Sequence, residues 1–192
     1  MRGAEAVLSK KILLGRQCVV KERLPKGYRA TELDRRLRME RTRGEARLLH
    51  KAKLAGVDCP TVYEVDDFRI TMGFIGGSRP AMDEGDAEGA GRMLAKLHKD
   101  DIIHGDFTPA NLILSDKRLY VIDFGLGFIS KDIEDKAVDV FTMLRALGDG
   151  RGKGKSRERA EEAFLSGYDS YEKAPSVLKR VKDVEKRVRY AA

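Results

Sequence analysis

The 192-residue sequence predicts an α+β fold in two lobes, a small β-rich N-lobe and a mainly helical C-lobe. Strand-forming segments are frequent in the first third of the chain, whereas helical apolar spacing dominates the remainder. The connector GGSRP at 76–80 combines glycine and proline, which interrupt regular structure. We therefore expect an N-lobe at 1–75, including a helical region at 31–54, and a C-lobe at 76–192.

The composition is that of a folded chain without a membrane segment. Hydrophobic residues make up 42% of the sequence and charged residues 36%, so there is enough apolar material for a core. No apolar run approaches the roughly 18 residues needed to cross a bilayer, and no signal-like stretch follows Met1. We therefore expect a cytoplasmic protein with no membrane partner, in which Cys18 and Cys59 are buried thiols.

The N-terminal part of the chain predicts short strands. Strand patterns cover 4–8, 11–15 and 17–24, and a turn at Gly15-Arg16 joins the last two segments. These segments lie close together in the sequence, so they are expected to pair as neighbours.

A helix and a hairpin complete the predicted N-lobe. Leucines recur at helical intervals across 31–54, where Gly44 predicts either two helices or one bent helix. Gly56 is expected to end this region, because glycine readily adopts the left-handed conformation found after helices. The segments 61–67 and 69–75 are expected to form a hairpin.

The C-lobe sequence predicts helices around a small hairpin. Asp86 is expected to cap a helix at 87–99, whose apolar face carries Met93, Leu94 and Leu97. The segments 111–115 and 118–123 are expected to pair through a turn at Asp116-Lys117.

Three more helices are expected after this hairpin. The first covers 133–147, and the last two cover 157–171 and 174–190. The glycine- and lysine-rich segment 148–157 is expected to be a flexible loop.

Three short motifs occur in an order that predicts phosphoryl-transfer chemistry. VVKE places Lys21 on a strand, HGDFTPAN places Asp106 five residues before Asn111, and VIDFG supplies Asp123. A strand lysine, a loop Asp with an Asn five residues on, and Asp-Phe-Gly form the protein-kinase signature set. Turn formation alone would explain Asp106 and Asn111, but not the Asp-Phe-Gly downstream. The order therefore predicts a minimal protein-kinase-like fold that binds ATP and magnesium.

Lys21 is expected to contact the phosphates of the nucleotide that are not transferred. It needs an anionic partner on the following helix, for which Glu45 is the first candidate and Glu40 the alternative. The competing interpretation makes Lys21 a surface lysine and leaves Glu45 exposed, paired only with Arg41 or Arg43.

The other polar residues of the motifs divide between metal binding and proton chemistry. Asp123 and Asn111 would bind magnesium, which prefers oxygen ligands and completes its shell with phosphate oxygens and water. Asp106 would orient or deprotonate the attacking hydroxyl or water. Of the three histidines, His104 is expected to order the catalytic loop, and the other two are given no role.

Two further segments are candidate nucleotide contacts. The glycine-rich loop that covers the phosphates in kinases is reduced here to four residues: Gly3, Ala4, Glu5 and Ala6. A beginning this short leaves no room for a long first strand, and a frayed terminus is the alternative interpretation. Met72 and Phe74 are expected near the adenine by analogy, although Gly73 stands where many kinases carry an acidic hinge residue.

With these motifs in place, the chain resembles the small atypical kinase subunit of the KEOPS complex, a group related to the RIO kinases. The resemblance rests on GAEA, VVKERLPKGYRATELD, RTRGEARLL, HGDFTPAN, and DFGLG followed by EDKAVDVFTMLRAL. It covers most of the chain up to about residue 147.

The resemblance implies a serine/threonine protein kinase or ATPase that uses ATP and magnesium. It also implies work with a tRNA threonylcarbamoyl-adenosine synthase subunit and the other KEOPS subunits. After Gly125 only about eight residues precede the next helix, and no Ala-Pro-Glu motif follows. A long activation loop is therefore not expected, which favours ATP hydrolysis coupled to a partner, with protein phosphorylation as a side activity.

The basic charge is concentrated in two segments. The segment 148–157 has four basic residues and one acidic residue, and 179–190 has six basic and two acidic residues. Such an excess suggests binding of a polyanion such as nucleic acid, and the resemblance implies that this is tRNA; the charge alone favours a solvated helix face and a flexible loop. Two other functions stay open: a kinase-shaped scaffold or tRNA-binding module, and a small-molecule phosphotransferase, which needs a C-lobe insertion.

Overall fold

The computed structural model describes residues 6–149 and 154–191 and confirms the two-lobed α+β architecture. In its described part, from residue 6 onward, the N-lobe contains four strands and one helix: β1 (Ala6–Leu13), β2 (Arg16–Arg23), α1 (Thr31–Leu54), β3 (Val62–Val65) and β4 (Arg69–Gly73). The strands form one antiparallel sheet in the order β1-β2-β4-β3, so the predicted hairpin of β3 and β4 is confirmed. The lobe boundary after residue 75 stays a prediction.

The first strand differs from the prediction. The segments 4–8 and 11–15 were expected as two short pieces without a long first strand, but β1 is one strand of eight residues. It lies at the edge of the sheet, where exposed lysines such as Lys10 and Lys11 are tolerated. The turn into β2 is Leu14-Gly15 rather than Gly15-Arg16, and both residues have positive φ values of 48° and 74°.

The N-lobe helix is continuous. Of the two forms expected from Gly44, two separate helices are excluded, because α1 runs through 24 residues without interruption. A helical glycine costs about 1 kcal/mol relative to alanine, which burial of Leu48 and Leu49 on the same helix readily offsets. Gly56 adopts the predicted left-handed conformation directly after the helix, with φ at 74°.

Within 76–149 and 154–191, the C-lobe contains four short strands, one 3₁₀ turn and four helices. They are α2 (Glu84–Lys99), β5 (Ile102–Ile103), a 3₁₀ turn (Pro109–Asn111), β6 (Leu112–Ser115), β7 (Arg118–Val121), β8 (Phe128–Ile129), α3 (Ile133–Asp149), α4 (Lys155–Tyr168) and α5 (Ala174–Ala191). The predicted hairpin is confirmed as β6 and β7, and both of its turn residues, Asp116 and Lys117, have positive φ. The strands β5 and β8 form a second small antiparallel pair.

The N-cap of α2 is Asp83 and not Asp86, so the predicted cap is wrong. The helix begins at Glu84, three residues earlier than expected, and the carboxylate of Asp83 accepts the backbone N–H of Asp86 at 2.9 Å. The Asp86 carboxylate in turn accepts the backbone N–H of Met82 at 3.1 Å. The Asp83 side chain thus caps the first turn, while Asp86 holds the residue before the cap, an arrangement close to a capping box.

The predicted loop at 148–157 is also wrong in its extent. Helix α3 continues to Asp149 and α4 already begins at Lys155, while residues 150–153 lie outside the described part of the chain. The last two helices are confirmed, with α4 starting and ending two or three residues before the predicted bounds.

Helices α2 and α4 pack with their backbones in contact. A Cβ added at Gly91 would lie 2.1 Å from the carbonyl oxygen of Phe164, and one added at Gly167 would lie 2.1 Å from that of Glu88. Only glycine fits at both positions, so the two helices approach more closely than side chains would permit. This packing fixes the position of α2, which leads directly into β5 and the loop that carries Asp106.

Both cysteines are buried, as predicted. Burial raises the pKa of the Cys59 thiol to about 11, because the thiolate is disfavoured away from water. Cys59 is therefore a packing residue at neutral pH.

Candidate active site

The strand lysine and a helix glutamate form a buried ion pair. Lys21 lies on β2, an interior strand flanked by β1 and β4. Its Nζ lies 2.7 Å from Oε1 of Glu45 on α1, and the Glu45 side chain is only 1% exposed. Glu40, the alternative partner, lies at the surface beside Arg36. Because a buried carboxylate requires a counter-charge, the pair holds α1 against the sheet.

The same ammonium group also contacts the Asp-Phe-Gly aspartate. Lys21 Nζ lies 2.7 Å from Oδ1 of Asp123, which also accepts the backbone N–H of Gly125 at 3.1 Å. Burial alone would raise the pKa of Asp123, but the charge of Lys21 and the two hydrogen bonds outweigh it and lower the pKa. Asp123 is therefore an ionised carboxylate, and its side chain is half exposed.

Asp123 has a left-handed backbone conformation, with φ at 62°. This conformation is uncommon for a residue other than glycine and is found where surrounding contacts enforce it. Here the hydrogen bonds from Lys21 and Gly125 to the side chain define the position of the carboxylate.

A buried aspartate on α3 anchors the catalytic loop. The backbone N–H groups of His104 and Gly105 donate to the carboxylate of Asp139 at 2.6 and 2.8 Å. Gly105 has a φ of 80°, and a Cβ there would lie 2.4 Å from the carbonyl oxygen of Leu126. The loop backbone is thus held from both sides immediately before Asp106.

His104 is enclosed in the protein interior. Its Nε2 lies 3.1 Å from the carbonyl oxygen of Ile122, and its Nδ1 lies 3.3 Å from the backbone N–H of Asp106. Burial lowers the pKa of His104, which makes the neutral ring the form at physiological pH. The ring thus links the loop to the strand before Asp123.

Asp106 and Asn111 are joined by side-chain hydrogen bonds. Asn111 Nδ2 donates to both the backbone oxygen and Oδ2 of Asp106, each at 2.9 Å. The backbone oxygen of Asn111 accepts the N–H of Ile122 at 2.9 Å, so the residue is also tied to the strand that leads to Asp123. With Nδ2 committed to Asp106, Oδ1 is the atom of Asn111 that can face a cation.

The donor set suits magnesium bound together with phosphate. Asp123 offers a half-exposed, ionised carboxylate, and Asn111 offers an amide oxygen on a neighbouring segment. Within the described residues, no group of three or more His, Cys, Asp and Glu side chains could hold a metal alone. Magnesium commonly takes one or two protein oxygens and completes its coordination with phosphates and water.

The predicted adenine and phosphate contacts remain predictions. Met72 is a buried residue of β4, and Phe74 follows that strand with its ring 4.7 Å from the ammonium group of Lys10. Of the four residues expected to cover the phosphates, Ala6 is the first residue of β1. The other three lie outside the described residues: Gly3, Ala4 and Glu5.

Two buried residues of the site were not identified from the sequence. The sequence pattern places Asp139 only within a helix and Arg23 only within a strand. The sequence does contain an indication for each. An aspartate on an apolar helix face, and an arginine on the same strand face as Lys21, are both expected to be buried and therefore to need polar partners.

These features define the class of protein. A strand lysine paired with a helix glutamate, a loop Asp held by an Asn, and an Asp-Phe-Gly aspartate together form a protein-kinase-like site. A family model described as the RIO domain matches residues 18–137, which include all of them. The chain belongs to the RIO family.

Two kinds of protein are among the relatives of this chain. The chain is 42% identical over 174 residues to a probable serine/threonine-protein kinase BUD32 homolog of Archaeoglobus fulgidus, covering 90% of this chain and 88% of the relative. It is 40% identical over 184 residues to a probable bifunctional tRNA threonylcarbamoyladenosine biosynthesis protein of Methanosarcina mazei. That match covers 92% of this chain but 32% of the relative, so the chain spans about a third of the bifunctional proteins.

The solved structures agree with the fold. The Rio2 kinase of Chaetomium thermophilum, in a complex with ADP, Mg²⁺ and phosphoaspartate, matches with a TM-score of 0.67 at 13% identity. The match covers 100% of this chain and 70% of that chain. In the part of the chain that the structure describes, no helix is long and apolar enough to span a membrane.

Proposed function

We propose that the protein, a phosphotransferase of the serine/threonine kinase type, uses ATP and magnesium mainly for ATP hydrolysis and phosphorylates proteins as a side activity. Lys21 carries this proposal, because its Nζ lies 2.7 Å from both Glu45 and Asp123. A surface lysine is not expected to contact two carboxylates from different lobes. A phosphate-binding lysine, in contrast, is held in place by such carboxylates.

The chain's own residues have separate tasks in this reaction. Bound magnesium neutralises phosphate charge, and Asp123 and Asn111 are the residues that would hold it. Lys21 then contacts the phosphates that are not transferred, while Glu45 keeps its ammonium group in place. Asp106 orients or deprotonates the attacking hydroxyl or water, and Asn111 fixes the direction of its carboxylate.

The segment after Asp123 supports ATP turnover as the main activity. Between Gly125 and the start of α3 the chain forms β8, which pairs with β5 through Ile102–Ile129 and Ile103–Phe128. The segment is therefore short and paired with the C-lobe, so few of its residues are available to bind a peptide substrate. Protein phosphorylation is accordingly a side activity, and turnover is coupled to a partner.

The partner that we propose is the tRNA threonylcarbamoyl-adenosine synthase subunit of the KEOPS complex. The named relatives support this choice, since the longer ones are called bifunctional in the biosynthesis of that modified nucleoside. The chain matches about a third of their length, so the remainder of each is long enough for a second enzyme. The other KEOPS subunits would complete the assembly.

The test of this function is phosphate release from ATP. The protein is assayed alone, with the synthase subunit, and with the synthase subunit and tRNA, each with magnesium and with EDTA. We expect magnesium-dependent turnover that rises when partner and tRNA are present. Firm partner binding without turnover in any mixture would favour the kinase-shaped scaffold instead.

The basic segments are the proposed tRNA contacts. Their basic residues differ in whether an acidic side chain already engages them. On α5, Arg180 and Arg187 both donate to the carboxylate of Glu134 on α3. These hydrogen bonds lower the pKa of Glu134, so it remains ionised and keeps both arginines engaged. Three further basic residues among the described side chains of α5 are exposed lysines: Lys179, Lys182 and Lys186.

Replacing these three lysines by alanine is expected to weaken tRNA binding by the assembled complex. Each lost phosphate contact should flatten the plot of log affinity against log salt by about 0.7–0.9, so the loss of three should change the slope by about 2–3. The measurement is a filter-binding or anisotropy titration at several salt concentrations. A matched triple alanine variant of exposed lysines elsewhere, Lys51, Lys99 and Lys117, should keep the original slope. Equal slopes for the two variants would exclude α5 as a tRNA contact.

A further inference from the structure

A second cation shares the carboxylate that holds Lys21. Arg23 lies on β2 two residues after Lys21, so both side chains leave the same face of the strand. Arg23 Nη2 lies 2.6 Å from Oε2 of Glu45, while Lys21 Nζ occupies Oε1 at 2.7 Å. The side chain of Arg23 is 5% exposed, so the contact is formed inside the protein.

The guanidinium group also lies close to the segment that carries the metal ligand. A Cβ added at Gly125 would lie 3.2 Å from Nη2 of Arg23 and 2.9 Å from Oδ1 of Asp123. Arg23 therefore lies between Glu45 and the glycine that follows Asp123 by two residues. One arginine is in position to influence both carboxylates that Lys21 contacts.

The backbone around Arg23 is fixed to two other elements. Its N–H donates to the carbonyl oxygen of Phe68 at 2.9 Å, and its carbonyl oxygen accepts Nη1 of Arg38 at 3.3 Å. Arg38 is on α1, where it forms an ion pair with Asp34 at 2.7 Å and lies over the Phe68 ring. Helix α1 is thus tied to the end of β2 at Arg23 as well as through Glu45.

The charges of this cluster explain why two cations are needed. Lys21 and Arg23 balance Glu45 and Asp123, so the four groups sum to zero formal charge. Without Arg23, a single ammonium group would face two carboxylates in a site that must accept anionic phosphates. Lys21 would then be held by the carboxylates, and the potential at the phosphate position would be more negative.

We propose that Arg23 is a positioning residue that neutralises and anchors Glu45, which frees Lys21 to exchange Asp123 for the nucleotide phosphates. This inference rests on the proposed ATP-dependent function. It also accounts for a lysine–glutamate pair that is already formed without a long activation loop to order α1.

The test compares Arg23→Met with Arg23→Lys. We expect Arg23→Met to raise the KM for magnesium-ATP, and the Kd for a fluorescent ATP analogue, on the order of tenfold, since hydrogen bonds to charged groups have this size. The fall in kcat should be smaller. Arg23→Lys keeps the charge and should recover most of the affinity. A merely structural role would instead lower the active fraction, and with it kcat, at unchanged KM.

The matched control is Arg43→Met on the same helix as Glu45. Arg43 forms an exposed ion pair with Asp67 at 3.3 Å, so its loss should leave KM and Kd unchanged. Should Arg23→Met not fold, Arg23→Lys compared with Arg23→Gln gives the same decision, because the charged variant must bind nucleotide more tightly.

Two results would overturn the inference, and they differ in what else they overturn. If wild type binds the analogue and Arg23→Met binds it equally well, Arg23 has no positioning role, but the proposed function stands. If wild type binds no nucleotide, alone or with the synthase subunit, the proposed function fails and the inference fails with it.

Discussion

Replacing Asp106 by asparagine is expected to lower ATP turnover by about 10²–10⁴-fold, the range that general-base residues contribute. Asparagine has nearly the same shape and can still accept the hydrogen bond from Asn111 Nδ2, so the loop should keep its conformation. What it loses is the negative, basic oxygen that attracts a proton from the attacking hydroxyl or water. The Kd for ATP should therefore change little, and the effect should appear in kcat.

The measurement is steady-state phosphate release by the complex, together with a direct nucleotide titration. Asp116→Asn is the matched control, because Asp116 is an exposed residue of the β6–β7 turn with a left-handed backbone that asparagine tolerates well. We expect wild-type turnover from this control. Turnover by Asp106→Asn within about threefold of wild type would exclude Asp106 as the base, since even weak general-base catalysis exceeds that factor.

Asp123→Asn is expected to remove most of the magnesium dependence of nucleotide binding. The substitution replaces a half-exposed carboxylate by a neutral amide, which is a poorer ligand for a hard cation. We expect turnover to fall by about 10²–10³-fold, similar to the loss of one group that stabilises charge in a transition state. Titration of the variant with an ATP analogue, with magnesium and with EDTA, measures the effect. Magnesium should strengthen wild-type binding and leave the variant nearly unaffected.

The ionisation of Asp123 also predicts a pH dependence of stability. Its pKa is lowered in the folded protein, because Lys21 and Gly125 together outweigh the opposing effect of burial. The ion pair with Lys21 therefore stabilises the fold at any pH above the ordinary carboxyl range, and this contribution disappears as the pH falls through the lowered pKa. Thermal unfolding of wild type and Asp123→Asn should accordingly differ near neutral pH and converge in acid. A difference that persists unchanged in acid would contradict the ion pair.

Residues that act through short, contiguous motifs could be predicted from the sequence. Asp106 and Asn111 lie five residues apart in one loop, and Asp123 is followed directly by the Phe and Gly that complete the Asp-Phe-Gly motif of kinases. Lys21 and Glu45 could be paired across 24 residues because the kinase motif requires an anionic partner for the strand lysine on the following helix. In each case a known motif identifies the partner.

Partners that depend on tertiary packing could not be predicted in the same way. Arg23 meets Glu45 only because β2 and α1 cross where they do, and Asp139 meets the catalytic loop from 34 residues away. The capping of α2 depended on which of two aspartates, Asp83 or Asp86, precedes the first helical residue. The continuity of α1 through Gly44 reflects burial of the helix face, which outweighs intrinsic propensity.

The central claim is that magnesium and nucleotide bind between the strand lysine of the N-lobe and the loop residues of the C-lobe. Crystals grown with Mn²⁺ and a non-hydrolysable ATP analogue test it most directly, because manganese gives an anomalous signal at the metal position. We predict a peak within coordination distance of Asp123 and Asn111, with a phosphate oxygen against Lys21 Nζ. A nucleotide bound elsewhere, or a metal that contacts neither Asp123 nor Asn111, would contradict the assignment of this site.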